Sequence, residues 1–109
     1  MTKTTLPESI EKAMAETVAR LAHRPELANL FRNCFPNTLN TTASLEEDGT
    51  TFVFTGDVPA MWLRDSSAQV HQYLPYAKND PQVRRIFEGL IRRQTGLILT
   101  DAYANAFNA

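Results

Sequence analysis

Prolines divide this chain into helix-sized segments, and that punctuation limits the fold more than any other local signal. A proline fixes its own φ and lacks an amide hydrogen, so it suits a helix's first turn and opposes continuation through an interior. Pro7 falls in the first turn of a segment from Thr5 to about Ala22, where Ile10, Met14, Val18 and Leu21 recur at helical spacing. Glu8 and Glu11 favour the positive end of that helix. Pro25 opens a second segment, with Leu27, Leu30 and Phe31 on one side and an end before Pro36. A third helix is predicted from a cap at Asp65 or Ser66 to about Leu74, stopping at Pro75. Asp80-Pro81 starts a fourth, with Val83, Phe87, Leu90, Ile91, Leu97 and Ile98 as its apolar positions. Gly89 and Gly96 either weaken that helix slightly or permit close packing against a neighbour.

Between the second and third helices the pattern changes. Ala43 to Glu46 and Thr51 to Thr55 flank Asp48-Gly49, a strong turn signal, and the second arm is rich in β-forming residues. The prediction is an all-α architecture with one small β-hairpin inserted near residues 43–55. No internal repeat or low-complexity linker interrupts it.

Charge and composition narrow the function classes. The net charge of −1 argues against a strongly basic nucleic-acid surface or an acidic solvating tail. Arg84-Arg85 and Arg92-Arg93 recur along one helix, but Glu88 lies between them and no aromatic platform is interleaved, so they read as a solvated face. No apolar run approaches the roughly 20 residues of a membrane span. The first residues lack the apolar core of a signal peptide, so Asn40-Thr41-Thr42, formally a glycosylation sequon, is read as unused. The lone Cys34 has no internal disulfide partner and suits a reducing compartment. The expected setting is cytoplasmic, with neither nucleic acid nor membrane as partner. His23, His71 and Cys34 show no metal-ligand spacing, and no glycine-rich phosphate loop is present.

The chemistry concentrates in the stretch from Asp57 to Val70. It holds the chain's one tryptophan, an adjacent Arg-Asp pair and a second carboxylate beside a proline turn. Trp62 offers a flat apolar face, Arg64 a planar fork of donors, and Asp65 two acceptor oxygens. A pyranose needs that mixture, because its C–H face is apolar while its rim carries vicinal hydroxyls. Those hydroxyls donate to a carboxylate and accept from a guanidinium through charge-assisted bonds. The competing reading is a core tryptophan and an Arg-Asp pair that merely starts a helix.

Three blocks carry a resemblance: Asn33-Cys34-Phe35-Pro36-Asn37-Thr38-Leu39, the run from Gly56 through Met61-Trp62-Leu63-Arg64-Asp65-Ser66-Ser67 to Val70, and Tyr103-Ala104-Asn105-Ala106-Phe107-Asn108. In that order they resemble glycoside hydrolase family 125, whose members are exo-acting α-1,6-mannosidases. The match covers roughly the last two-thirds of the chain. Asn40 and Ala102 stand where the family usually has Asp and Pro, which bears on local loop geometry only. The resemblance implies an (α/α)6 toroid of twelve helices. At about 11–12 residues per helix plus connections, such a fold needs well over ~200 residues. The chain, residues 1–109, is therefore expected to be the N-terminal part of a single toroidal domain, with the remainder of that domain as its partner.

The resemblance also implies a metal-independent, inverting reaction on a mannose-containing oligosaccharide, with no cofactor. Arg64 and Asp65 would hold hydroxyls of the terminal mannose, Trp62 would wall the pocket or pack in the core, and Asn105 would hydrogen-bond the sugar. Tyr103 would do likewise or simply pack. Asp57 would bind sugar or hold the Pro59 loop through backbone hydrogen bonds. Gln69, one helical turn after Asp65, is a candidate to orient that carboxylate. Ser66 and Ser67 read as helix-start donors and acceptors, since no third group is evident to orient His71 as a base. Inversion requires two carboxyl groups about 6.5–9.5 Å apart. Asp65, beside the fixed charge of Arg64, suits a hydroxyl acceptor and not a proton donor. The catalytic acid and base are expected beyond residue 109, so the chain itself carries no catalytic residue. The alternative reading is a non-catalytic carbohydrate-binding or interaction module built from the same loop.

Overall fold

The structure, a computed structural model, describes residues 2–3 and 5–109. Four α-helices dominate: α1 (Glu8–Arg20), α2 (Pro25–Cys34), α3 (Leu63–Val70) and α4 (Pro81–Thr100). A π-helical turn spans Thr38–Thr42, and a 3-10 segment spans His71–Lys78. The strands are β1 (Thr2–Lys3), β2 (Ala43–Leu45), β3 (Thr51–Val53), β4 (Ala60–Trp62) and β5 (Ala106–Asn108). This is a largely helical fold with an inserted hairpin, consistent with part of an (α/α) toroid.

The local signals act as elementary chemistry requires. Asp80 caps α4, its Oδ1 accepting from the amides of Gln82 at 2.9 Å and Val83 at 3.4 Å, with Pro81 in the first turn. Ser9 donates its own amide to the other oxygen at 3.1 Å, which ties α1 to the start of α4. Ser9 first, with the amides of Val83 and Gln82, holds the Asp80 carboxyl below its ordinary range despite partial desolvation. In the hairpin, β2 and β3 pair antiparallel, with Ala43 opposite Val53 and Leu45 opposite Thr51. Gly49 takes φ +82°, and Asp48 accepts from the Thr50 amide at 2.9 Å.

The core lies where α4 crosses this hairpin. Ile10, Leu39, Phe52, Val53, Met61, Val70, Tyr73, Val83, Ile86 and Leu90 are all buried there. Gly89 serves close packing: a Cβ at that position would stand 2.6 Å from Thr51 Oγ1 and 2.9 Å from the Thr51 amide. That approach lets the buried Thr51 hydroxyl donate to the Ile86 carbonyl at 2.9 Å. Gly96 has nothing within 4 Å and serves no such contact. Arg93 lies 4.9 Å from the Phe52 ring centroid and donates to Thr50 at 3.2 Å, so part of the basic stripe is packed against the hairpin. Arg84 donates to the carbonyls of Ala77 and Lys78 at the end of the 3-10 segment.

Two helix expectations need correction. The third helix begins at Leu63, ahead of Asp65 and Ser66, and neither side chain caps it. Strand pairing does the cap's work: Trp62 is extended, and the Leu63 amide donates to the Asn105 carbonyl at 3.4 Å. The helix also does not stop at Pro75. Its α form ends at Val70, and the chain continues as 3-10 through Pro75 to Lys78. Buried Tyr73 anchors that stretch by donating its hydroxyl to the Phe35 carbonyl, and burial pushes its phenol pKa up. On α4, Ile86 is buried, whereas Ile91 and Ile98 are 60% and 48% exposed.

Candidate functional site

The site is built by a strand pair that joins two distant stretches of sequence. β4 and β5 run antiparallel, with Ala60 opposite Asn108, Met61 opposite Phe107 and Trp62 opposite Ala106. Alternation along β4 sends Met61 into the core with no exposed surface and leaves Trp62 36% exposed. Asn105, just before β5, therefore sits beside Leu63, just after β4. Trp62, Leu63, Arg64, Asp65, Ala104 and Asn105 line one open recess of about 280 Å3.

The Arg64–Asp65 pair is held loosely by the rest of the protein. Arg64 Nε lies 3.4 Å from Asp65 Oδ1, and the two side chains are 92% and 34% exposed. An ion pair this open contributes little to stability, and most of the guanidinium's donors face outward. Asp65 occupies the first turn of α3, where the helix dipole favours a negative charge.

The turn beneath them is tightly bonded. Ser66 and Ser67 each donate a hydroxyl to the Leu63 carbonyl at 3.1 Å. From α4, Gln94 Nε2 donates to Ser67 Oγ at 2.8 Å, Ser66 Oγ at 2.9 Å and the Leu63 carbonyl at 3.3 Å. The serines are thus structural donors and acceptors at the helix start, and His71 is exposed. Nothing in the sequence announces Gln94, because its partners lie 27 to 31 residues away. Gln69 does not reach Asp65: its amide donates to the Phe54 carbonyl at 3.0 Å.

Asp57 and Tyr103 lie outside the lining of the recess. Asp57 is exposed after Gly56, which takes φ +125°. No bond from its carboxylate to the Pro59 loop occurs among the described residues; Ala60 instead closes that loop by donating to Val58 at 2.8 Å. Tyr103 is 96% exposed, and its amide donates to Asp101 Oδ1 at 2.9 Å. A larger groove of about 720 Å3 follows α1 to the start of α4. It contains none of the three sequence blocks; of its three carboxylates, Glu8, Glu16 and Asp80, the last is engaged in capping α4. Among the described residues no group of three or more His, Cys, Asp or Glu is placed to hold a metal ion. No helix there is long and apolar enough to cross a membrane.

Residues 24–109 match the family described as metal-independent α-mannosidase, GH125. The chain belongs to the GH125 family. This GH125 chain is 39% identical over 104 residues to the meiotically up-regulated gene 157 protein of Schizosaccharomyces pombe, covering 92% of this chain and 20% of that protein. It superposes with a TM-score of 0.86 and 44% identity on a Streptococcus pneumoniae metal-independent α-mannosidase, solved as a non-productive substrate complex with α-1,6-mannobiose. That comparison covers 95% of this chain and 25% of the bacterial one. The GH125 chain thus spans about a fifth to a quarter of the length of these relatives.

Proposed function

We propose that this chain supplies the sugar-binding edge of an inverting exo-α-1,6-mannosidase that acts on short oligosaccharides in the cytoplasm. Residues 1–109 then form part of one toroidal domain whose catalytic acid and base lie elsewhere in it. The observation that carries this reading is the make-up of the recess: an indole, a guanidinium, an amide and a single carboxylate, Asp65. That set suits binding, while inversion needs two carboxyl groups about 6.5–9.5 Å apart. Arg64 and Asp65 hold vicinal hydroxyls of the terminal mannose, Trp62 meets its C–H face, and Asn105 adds an amide. Tyr103, exposed and adjacent in sequence to Ala104 of the lining, meets the rest of the oligosaccharide, whereas for Asp57, outside the lining, a sugar contact rests on the family resemblance alone. The α-1,6-mannobiose carried by the pneumococcal relative supports the linkage.

The lone carboxylate also favours a second reading, a carbohydrate-binding module without turnover. The full-length protein, assayed on α-1,6-mannobiose by proton NMR, separates the two. The enzyme reading predicts turnover that survives a chelator, with β-mannose as the first-formed anomer. Binding without turnover favours the module, and α-mannose first overturns inversion. Residues 1–109 alone should show no turnover. Activity from them would force Asp57 or Asp101 into a catalytic role.

A further inference from the structure

We propose that Gln94 is a positioning residue for the sugar site, clamping from α4 the turn that presents Arg64 and Asp65. The inference rests on the mannose-binding reading above and names a residue outside the recess lining on which that site depends. The three groups that accept from the Gln94 amide belong to Leu63, Ser66 and Ser67, at 3.3, 2.9 and 2.8 Å. These bracket Arg64 and Asp65 on both sides in sequence. An amide nitrogen carries two hydrogens, so the short serine bonds take the donors and the longer Leu63 contact is shared. The serine hydroxyls pass the constraint on, since each donates in turn to the Leu63 carbonyl at 3.1 Å. Gln94 thereby closes a small network around one turn of helix.

The geometry explains why a distant side chain is needed. α3 has no side-chain cap, and among the described residues its first amide has the 3.4 Å bond to the Asn105 carbonyl as its one partner. The Arg64–Asp65 contact is too open to fix the turn by itself. Gln94, by contrast, stands on α4 one turn beyond Leu90, the last buried residue of that helix. Beside it is Arg93, which donates to Thr50 at 3.2 Å and lies 4.9 Å from the Phe52 ring centroid. The clamp therefore references the sugar-binding pair to α4, the helix whose buried turns Val83 to Leu90 pack in the core. Binding groups need placement within a fraction of an ångström, which supporting hydrogen bonds provide.

The test compares variants of the full-length protein on α-1,6-mannobiose, with KM, kcat and unfolding temperature measured together. Gln94→Met keeps the length of the side chain and removes its donors. KM should rise about tenfold, the scale of one or two lost hydrogen bonds, with kcat within about threefold and little change in unfolding temperature. Gln94→Glu should recover only part of that loss, because the serine hydroxyls can turn to donate to its carboxylate but give up their bonds to the Leu63 carbonyl in doing so. Should Gln94→Met fail to fold, Ser67→Ala removes one exposed partner and should raise KM about threefold. A lowered unfolding temperature with unchanged KM, or a folded Ser67→Ala with unchanged KM, overturns the clamp. Asp65→Ala runs alongside: if it leaves KM unchanged, the mannose-binding reading itself falls; if the unmodified protein binds without turnover, the enzyme reading falls and Kd for α-1,6-mannobiose replaces KM in the same comparison. If Asp65→Ala raises KM and Gln94→Met does not, only the role of Gln94 falls.

Discussion

The crossing of α4 over the β2–β3 hairpin and the recess at the end of β4 lie on the same chain but are built on opposite terms. At the crossing, Phe52, Val53, Ile86 and Leu90 are buried, the Thr51 hydroxyl is bonded, and Gly89 leaves no room for a side chain. At the recess, Trp62 and Arg64 are exposed, and the ion pair closes only to 3.4 Å. The first region has its partners within residues 1–109. The second holds donors, an acceptor and an aromatic face that those residues leave largely open. The lesson is that stability and binding should respond to different substitutions.

The largest stability effect belongs to the crossing. Phe52→Ala removes a fully buried ring that packs edge-on against Phe54 at 4.8 Å and lies under Arg93. The expected loss is about 3–5 kcal/mol in denaturant unfolding, because the cavity adds to the lost burial. The variant that still folds should keep its kcat/KM. A large activity loss with unchanged stability would erase the division between the two regions.

Legibility in the sequence follows the same line. Asp80-Pro81, Pro25 and Asp48-Gly49 are local devices whose partners lie within a few residues, and each marks the element it predicts. The pairing of Trp62 with Ala106 spans more than forty residues, and no short pattern encodes it. That pairing displaced the expected cap at Asp65 or Ser66, since it satisfies the Leu63 amide by another route. Ile91 and Ile98 fit helical periodicity as well as Ile86 does, yet only Ile86 faces the hairpin. Trp62, Arg64 and Asp65 stand out by residue type and Asn105 through the family resemblance, and the structure brings the four to one recess, while Gln94 is visible only once α4 is laid beside α3.

A smaller effect sharpens the comparison at a third point. Asp80→Ala should cost about 1 kcal/mol, the scale of a lost helix cap, and leave the recess untouched. The Asp80 carboxyl is held below its ordinary range in the folded state. Its contribution is therefore present above the unfolded carboxylate's pKa and lost as pH falls through the folded one. The stability gap between the two proteins should stay constant near neutrality and close in acid. A gap that widens in acid would give Asp80 a different role.

The smallest stability effect is expected where the activity effect is large, and that split tests the central claim most directly. Arg64→Ala and Asp65→Ala, made in the full-length protein, should each shift unfolding by no more than about 1 kcal/mol, since the pair is exposed. Each should lower kcat/KM on α-1,6-mannobiose by roughly 10- to 150-fold, the loss of one charge-assisted bond of about 1.5–3 kcal/mol. Both quantities are to be measured on the same purified samples. Near-native unfolding with that loss of kcat/KM is the predicted result; destabilised variants whose folded fraction keeps normal kcat/KM would contradict it and remove both residues from the sugar site.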